Sequence, residues 1–156
     1  MADTRQVANS PLAASAENTV RASEIPSQAV LEILPIGLAI LDCQGRLVYS
    51  NRRYVELRGH PSDLAAWVEA IHPEDRERVS SSRTQALTRG QSWADTYRLA
   101  HPNGNIVWVS ARAAPLRVSS DLAGFVLTLD DVTAIKIAEE KLHRANWELQ
   151  MHAGRL

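Results

Sequence analysis

Residues 92–130 read as three β-prone runs whose connections are too short for anything but hairpins. Ser92–Ala100 and Ile106–Val118 are joined through Pro102-Asn103-Gly104, a strong turn signal, and Leu122–Asp130 comes after Ser119-Ser120-Asp121. Parallel neighbours need a crossover of about a dozen residues. This block therefore predicts antiparallel pairing. A second hairpin lies upstream, where Gly37–Asp42 and Arg46–Ser50 flank Cys43-Gln44-Gly45. Asn51, a residue that tolerates left-handed backbone, closes the second strand.

Arg52 to Glu69 lacks strand alternation. Its breaks at Gly59 and Pro61 predict short helical turns, with Ser62 or Asp63 capping the piece that carries Leu64, Trp67 and Val68. His72-Pro73-Glu74-Asp75 then starts a longer helix, with proline in the first turn and two acids at the positive end of the helix dipole. That helix is expected to reach about Thr88, to turn Val79, Ala86 and Leu87 inward, and to stop at Gly90. The order β-β, helices, β-β-β predicts an α+β chain: a five-stranded antiparallel sheet with helices packed on one face.

The two ends differ in kind. Residues 1–23 are rich in Ala, Ser, Asn and Thr and are expected to form a disordered or loose leader. Residues 24–34 form an N-terminal flanking helix, capped by Ser27 and ended by Pro35, with Val30, Leu31 and Leu34 on one face. The core domain spans 35–133, and 134–156 form a C-terminal linker helix. In that linker Ile135, Ala138, Leu142, Ala145 and Leu149 are spaced three, four, three, four, which is an a/d seam and the start of a coiled coil. The chain ends inside this helix, so an output domain is expected beyond residue 156.

Several functions are excluded. The formal charge of −1 gives no field for nucleic acid or an anionic membrane surface. Cys43 is the only cysteine, which rules out an internal disulfide and a cysteine-based zinc cage. The five histidines are too scattered for metal-ligand spacing. There is no Gly-rich phosphate loop, no Gly-x-Ser-x-Gly and no nucleophile with an evident base, so no catalytic residue and no enzyme activity are expected. No apolar run approaches the ~18 residues of a membrane span, and residues 1–19 lack the pattern of a secretory leader. A cytoplasmic protein without direct membrane contact is the expectation.

Local sequence resembles the PAS family at points in the right order. Gly37-Leu38-Ala39-Ile40-Leu41-Asp42 is similar to its first strand. Val48-Tyr49-Ser50-Asn51 with Gly59 is similar to its second strand and the asparagine-to-glycine spacing after it. Ile71-His72-Pro73-Glu74-Asp75 resembles the entry to its long helix. Trp108 to Leu116, Gly124-Phe125-Val126 and Asp131-Val132-Thr133 resemble its last strands and exit signature. The resemblance covers about residues 35–133 and implies a sensor that binds a ligand, carries a cofactor or simply dimerises.

Cofactor branches of that family leave marks that can be sought here. The flavin photoreceptors need a cysteine in the stretch corresponding to Leu57–Asp63, which has none. Haem sensors commonly place a histidine on the long helix, and Glu74–Leu87 contains none. No cofactor is therefore expected, with flavin or haem held non-covalently as the alternative. The family's inward parity selects Tyr97, Leu99, Val109, Ala111, Ala113, Phe125, Leu127 and Leu129 as candidates to line a pocket. Ala111 and Ala113 are small enough to leave room for a small hydrophobic ligand; dense packing by helix side chains is the competing and favoured reading. The other parity sets Arg98, Trp108, Ser110, Arg112, Val126 and Thr128 on the outer face, where the preceding helix covers the sheet in many dimers of the family.

The resemblance makes Asp131 and Thr133 the junction between sheet and linker helix, with Thr133 a reasonable N-cap. It implies a homodimer in two-component or cyclic-di-GMP signal transduction. The last strand would pass a change into paired helices, and from there to a histidine kinase, cyclase or phosphodiesterase domain. A stand-alone interaction domain is the remaining alternative.

Overall fold

The computed structural model describes residues 27–59 and 67–154. The expected leader over 1–23, the first residues of the flanking helix, and the Ser62 or Asp63 cap with Leu64 lie outside the described residues. Helix α1 (Ser27–Glu32) belongs to a unit ending at Ile33, and everything from Leu34 onward forms a second unit. In the second unit the elements run β1 (Gly37–Leu41), β2 (Leu47–Ser50), α2 (Arg52–Arg58), α3 (Arg76–Thr88), β3 (Trp93–Ala100), β4 (Ile106–Val118), β5 (Asp121–Asp131) and α4 (Thr133–Ala153).

The five strands form one antiparallel sheet in the order β2-β1-β5-β4-β3. Its hairpins follow local chemistry. Gly45 and Gly104 both adopt left-handed backbone, with φ of 82° and 88°, and each closes a three-residue turn. Between β4 and β5 the left-handed pair is Ser119 and Ser120, at φ 50° and 76°. A two-residue hairpin of type I′ needs that conformation at both central positions, and serine adopts it less readily than glycine or asparagine.

Asn51 does not take the left-handed backbone that its residue type tolerates. It is extended (φ −84°, ψ 172°), fully buried, and it N-caps α2. Its Oδ1 accepts from the Tyr54 and Leu38 N–H groups, both at 2.9 Å, while Nδ2 donates to the Ile36 carbonyl at 3.1 Å. One side chain thus ties helix start to first strand. Gly59 ends the helix in left-handed backbone, φ 73°. Gly124 serves a different need: a Cβ there would lie 2.2 Å from the Leu41 carbonyl oxygen, so β5 can approach β1 this closely only without a side chain.

Helices α2 and α3 cover one face of the sheet. Tyr54 and Leu57 from α2, with Val79 from α3, join Ala39, Ile71, Trp93, Tyr97, Leu99, Val109, Ala111, Ala113, Leu127 and Leu129 in one core. The free edge of β3 is blocked by the segment entering α3. The Arg98 carbonyl accepts from the His72 N–H, the Ala100 N–H donates to the Ala70 carbonyl, and the Arg98 N–H donates to the Asp75 carboxylate. An unpaired strand edge is a template for aggregation, and the C-terminal end of this one is covered. Helix α3 itself begins at Arg76; His72–Asp75 form the turn before it, and the Asp75 carboxylate bonds Arg98 rather than the helix N–H groups.

Candidate functional site

The space beneath the sheet is small. All eight inward candidates are at most 5% exposed. Tyr97, Leu99, Leu127 and Leu129 line a residual gap of about 20 Å³ together with Tyr54, Arg58, Trp67, Ile71 and Arg83. Val109, Ala111, Ala113 and Phe125 do not reach it. Trp93 stands opposite Ala113 across the β3–β4 ladder, a large residue beside a small one. A gap of that size holds about one water, whereas organic ligands occupy roughly 300 Å³ or more. A ligand enters this core only if side chains move.

Five residues of that gap lie beyond the inward set that strand parity selects, and two of them are cations, Arg58 and Arg83, which are 3% and 5% exposed. Arg83 projects from α3 on the same stripe as Val79, Ala86 and Leu87, at offsets of four, three and four. That spacing is the signal the sequence offers, a cation where helical periodicity asks for an apolar residue. Its guanidinium carbon lies 3.8 Å from the centroid of the Trp67 ring, a cation–π stack. Burial pulls the Arg83 pKa below its ordinary value, partly offset by Tyr54 and Tyr97. Burial pushes the Tyr97 phenol up, and Tyr54 adds to the shift. In both groups loss of water disfavours the charged form.

A second constellation forms where β5 turns into α4. Asp131 Oδ1 accepts from the Thr133 N–H at 2.9 Å and from its hydroxyl at 2.6 Å. Thr133 Oγ1 in turn accepts from the Trp108 N–H at 3.0 Å, and the Val132 N–H donates to the Trp108 carbonyl at 2.9 Å. The residue at the N-cap position is Val132, not Thr133, and it makes no side-chain cap bond. Asp131 takes the capping role because its carboxylate reaches the first helical N–H. Thr133 is thereby free to hold β4, so the corner is fastened to two strands. The Trp108 ring is flanked by the Arg98 guanidinium at 5.5 Å and the Lys136 ammonium at 5.3 Å.

Beyond this corner α4 has no buried residue. The seam residues Ile135, Leu142 and Leu149 are 58%, 65% and 67% exposed, and Ala138 and Ala145 share their exposure. Trp147 lies off the seam. With Lys136, Glu140 and His143 it forms a stripe that faces Trp108 across an open groove of about 770 Å³. No described helix is long and apolar enough to cross a membrane, and no cluster of metal-binding side chains occurs among the described residues.

Known proteins share this geometry. Residues 47–127, just over half of the chain, match the family described as PAS fold. The chain is 29% identical over 127 residues to the uncharacterized protein y4lL of Sinorhizobium fredii, covering 78% of this chain but only 15% of that protein's length. Among solved structures, a sensory box histidine kinase/response regulator from Burkholderia thailandensis aligns with a TM-score of 0.62 and 24% identity, over 80% of this chain and 97% of that one. The N-terminal domain of a diguanylate cyclase with PAS/PAC sensor from Marinobacter aquaeolei aligns with a TM-score of 0.58 and 20% identity, over 65% and 98%. At those identities the two structures speak for the fold. Together with the five-stranded sheet and the matched residues, they lead to one conclusion: the chain belongs to the PAS fold family.

Proposed function

We propose that this chain is a signal-sensing and dimerisation module. A change in the packing of the PAS core shifts β5 and β4, and the Asp131–Thr133 corner hands that shift to α4. Helix α4 pairs in parallel with the α4 of a second copy through Ile135, Ala138, Leu142, Ala145 and Leu149. The pair then carries a rotation or register change to an output domain of histidine kinase or cyclase type elsewhere in the polypeptide. Such a relay needs two arrangements of similar energy, so that a small input moves the population.

One observation carries the reading. A helix of 21 residues leaves the sheet with its apolar seam wholly exposed, while its first turn is hydrogen-bonded to β4. An isolated helix with such a seam gains little from its own backbone and much from a partner helix. Light scattering coupled to size exclusion tests this on the intact chain and on the variant Leu142→Asp. A dimer that becomes monomeric in Leu142→Asp supports the reading. A monomer for the intact chain at high micromolar concentration, or a dimer that ignores the substitution, refutes it.

A further inference from the structure

Among the described residues, Arg83 is a buried cation held by an aromatic ring rather than by an anion. The residue is 5% exposed, its Nε finds no hydrogen-bond acceptor, and among the described residues no carboxylate or carbonyl bonds to its guanidinium. The guanidinium stacks on the face of Trp67 instead. A buried cation without an anion is costly, and an apolar side chain of the same length would fill the position better. The inward stripe of α3 otherwise accepts apolar residues there, Val79 one turn before and Leu87 one turn after.

Two spaces meet at this side chain. On its inner side is the gap of about 20 Å³, into which the Tyr54 and Tyr97 rings also project. On its outer side is a surface pocket of about 320 Å³ walled by the apolar Trp67 and Leu87 and by the polar Gln44, Arg83, Thr84 and Thr88. Arg83 and Trp67 line both, so their stack is the shared wall. A ligand in the outer pocket needs only a swing of that stack to place an oxygen in the inner gap.

We infer that this is a binding site for a small planar monocarboxylate, whose carboxylate is gripped by Arg83 and whose apolar body lies in the outer pocket against Trp67 and Leu87. The guanidinium fork matches a carboxylate with two parallel hydrogen bonds, and a lysine could not. Arg58 adds a second cation to the inner gap, but its volume of about 20 Å³ has room for a single carboxylate oxygen and not for a phosphate. An outer pocket near the lower limit for organic ligands suits a single ring. As the input of the module proposed above, the site rests on that reading; as a binding site it does not, because binding is read whatever the oligomeric state.

The test is isothermal titration and thermal unfolding of the intact chain with sodium benzoate, its neutral isostere benzamide, and inorganic phosphate, at matched ionic strength up to about 10 mM ligand. Benzoate is expected to bind with saturable heat and to raise Tm by about 5–10 °C at a hundredfold excess over Kd. Benzamide should bind at least about tenfold more weakly. Arg83→Met should lose the benzoate response while unfolding at a Tm no lower than the parent chain. If Arg83→Met does not fold, Arg83→Lys keeps the charge and loses the fork, and its affinity should drop at least about tenfold. No heat with benzoate, an equal response to benzamide, a stronger response to phosphate, or undiminished affinity in the substituted chain each overturns the assignment.

Discussion

Replacing Thr133 by valine removes one hydroxyl and almost no volume, which isolates what the corner contributes. The hydroxyl donates to Asp131 at 2.6 Å and accepts from the Trp108 N–H at 3.0 Å. A hydrogen bond to a charged acceptor is worth about 1.5–3 kcal/mol, and an amide left without an acceptor costs about 1–3 kcal/mol when fully buried. Asp131 is exposed and Thr133 and Trp108 are half-buried, so water recovers part of both terms. A net cost of about 1–2 kcal/mol results, with Asp131 still able to accept from the residue 133 N–H. At about 1.4 kcal/mol per factor of ten, the Trp108 and Val132 amides should exchange with solvent roughly 5–30 times faster. Hydrogen exchange resolved by NMR reads both amides directly. Asp131→Asn keeps an acceptor oxygen without the charge and should fall between the parent and Thr133→Val. Exchange rates within about threefold of the parent in Thr133→Val would show that the hydroxyl does not hold α4 to β4, and the relay would lose its mechanical link.

Two further outcomes bear on the frame that supports this corner. Asn51→Ala removes a cap worth about 1 kcal/mol and strands the Leu38 N–H, so it should cost about 2–4 kcal/mol, visible as a drop of about 1–2 M in the urea midpoint. A loss under about 1 kcal/mol would contradict the bonding described for Asn51. Hydrogen bonds from the Arg98 side chain hold the Asp75 carboxyl below the usual carboxylate range. A lowered native pKa contributes stability above the unfolded carboxyl's pKa, and that contribution is lost as pH falls through the native value. Urea midpoints should therefore be insensitive to this pair from about pH 7 to 5 and decline below about pH 4, with a shallower decline in Arg98→Met; parallel pH profiles for the two proteins would refute the coupling.

The hairpins are legible in the sequence because their causes are local. Pro102-Asn103-Gly104 and Cys43-Gln44-Gly45 each carry a glycine where left-handed backbone is required, and the alternation in β3, β4 and β5 groups the eight inward residues on common faces, which the family's parity turns to the side that the structure buries. Less legible are residues whose partners are far along the chain. The bonds of Asn51 reach back to Ile36 and Leu38, the carboxylate of Asp75 is taken by Arg98, and Thr133 gives up the N-cap position because Trp108 supplies it with another partner.

Sequence alone determined which segments became strands and which residues share a face, since period and turn chemistry act within a few residues; the choice of the inward face came from the resemblance to the family. It also determined the seam of α4, which is a matter of spacing along one helix. Tertiary structure alone decided that β1 pairs with β5, that no gap remains against Ala111 and Ala113 while one the size of a water survives among Tyr97, Leu99, Leu127 and Leu129, and that Arg83 ends up buried against Trp67. Those outcomes depend on which distant side chains compete for one volume, and close packing settles that competition only when every element is in place.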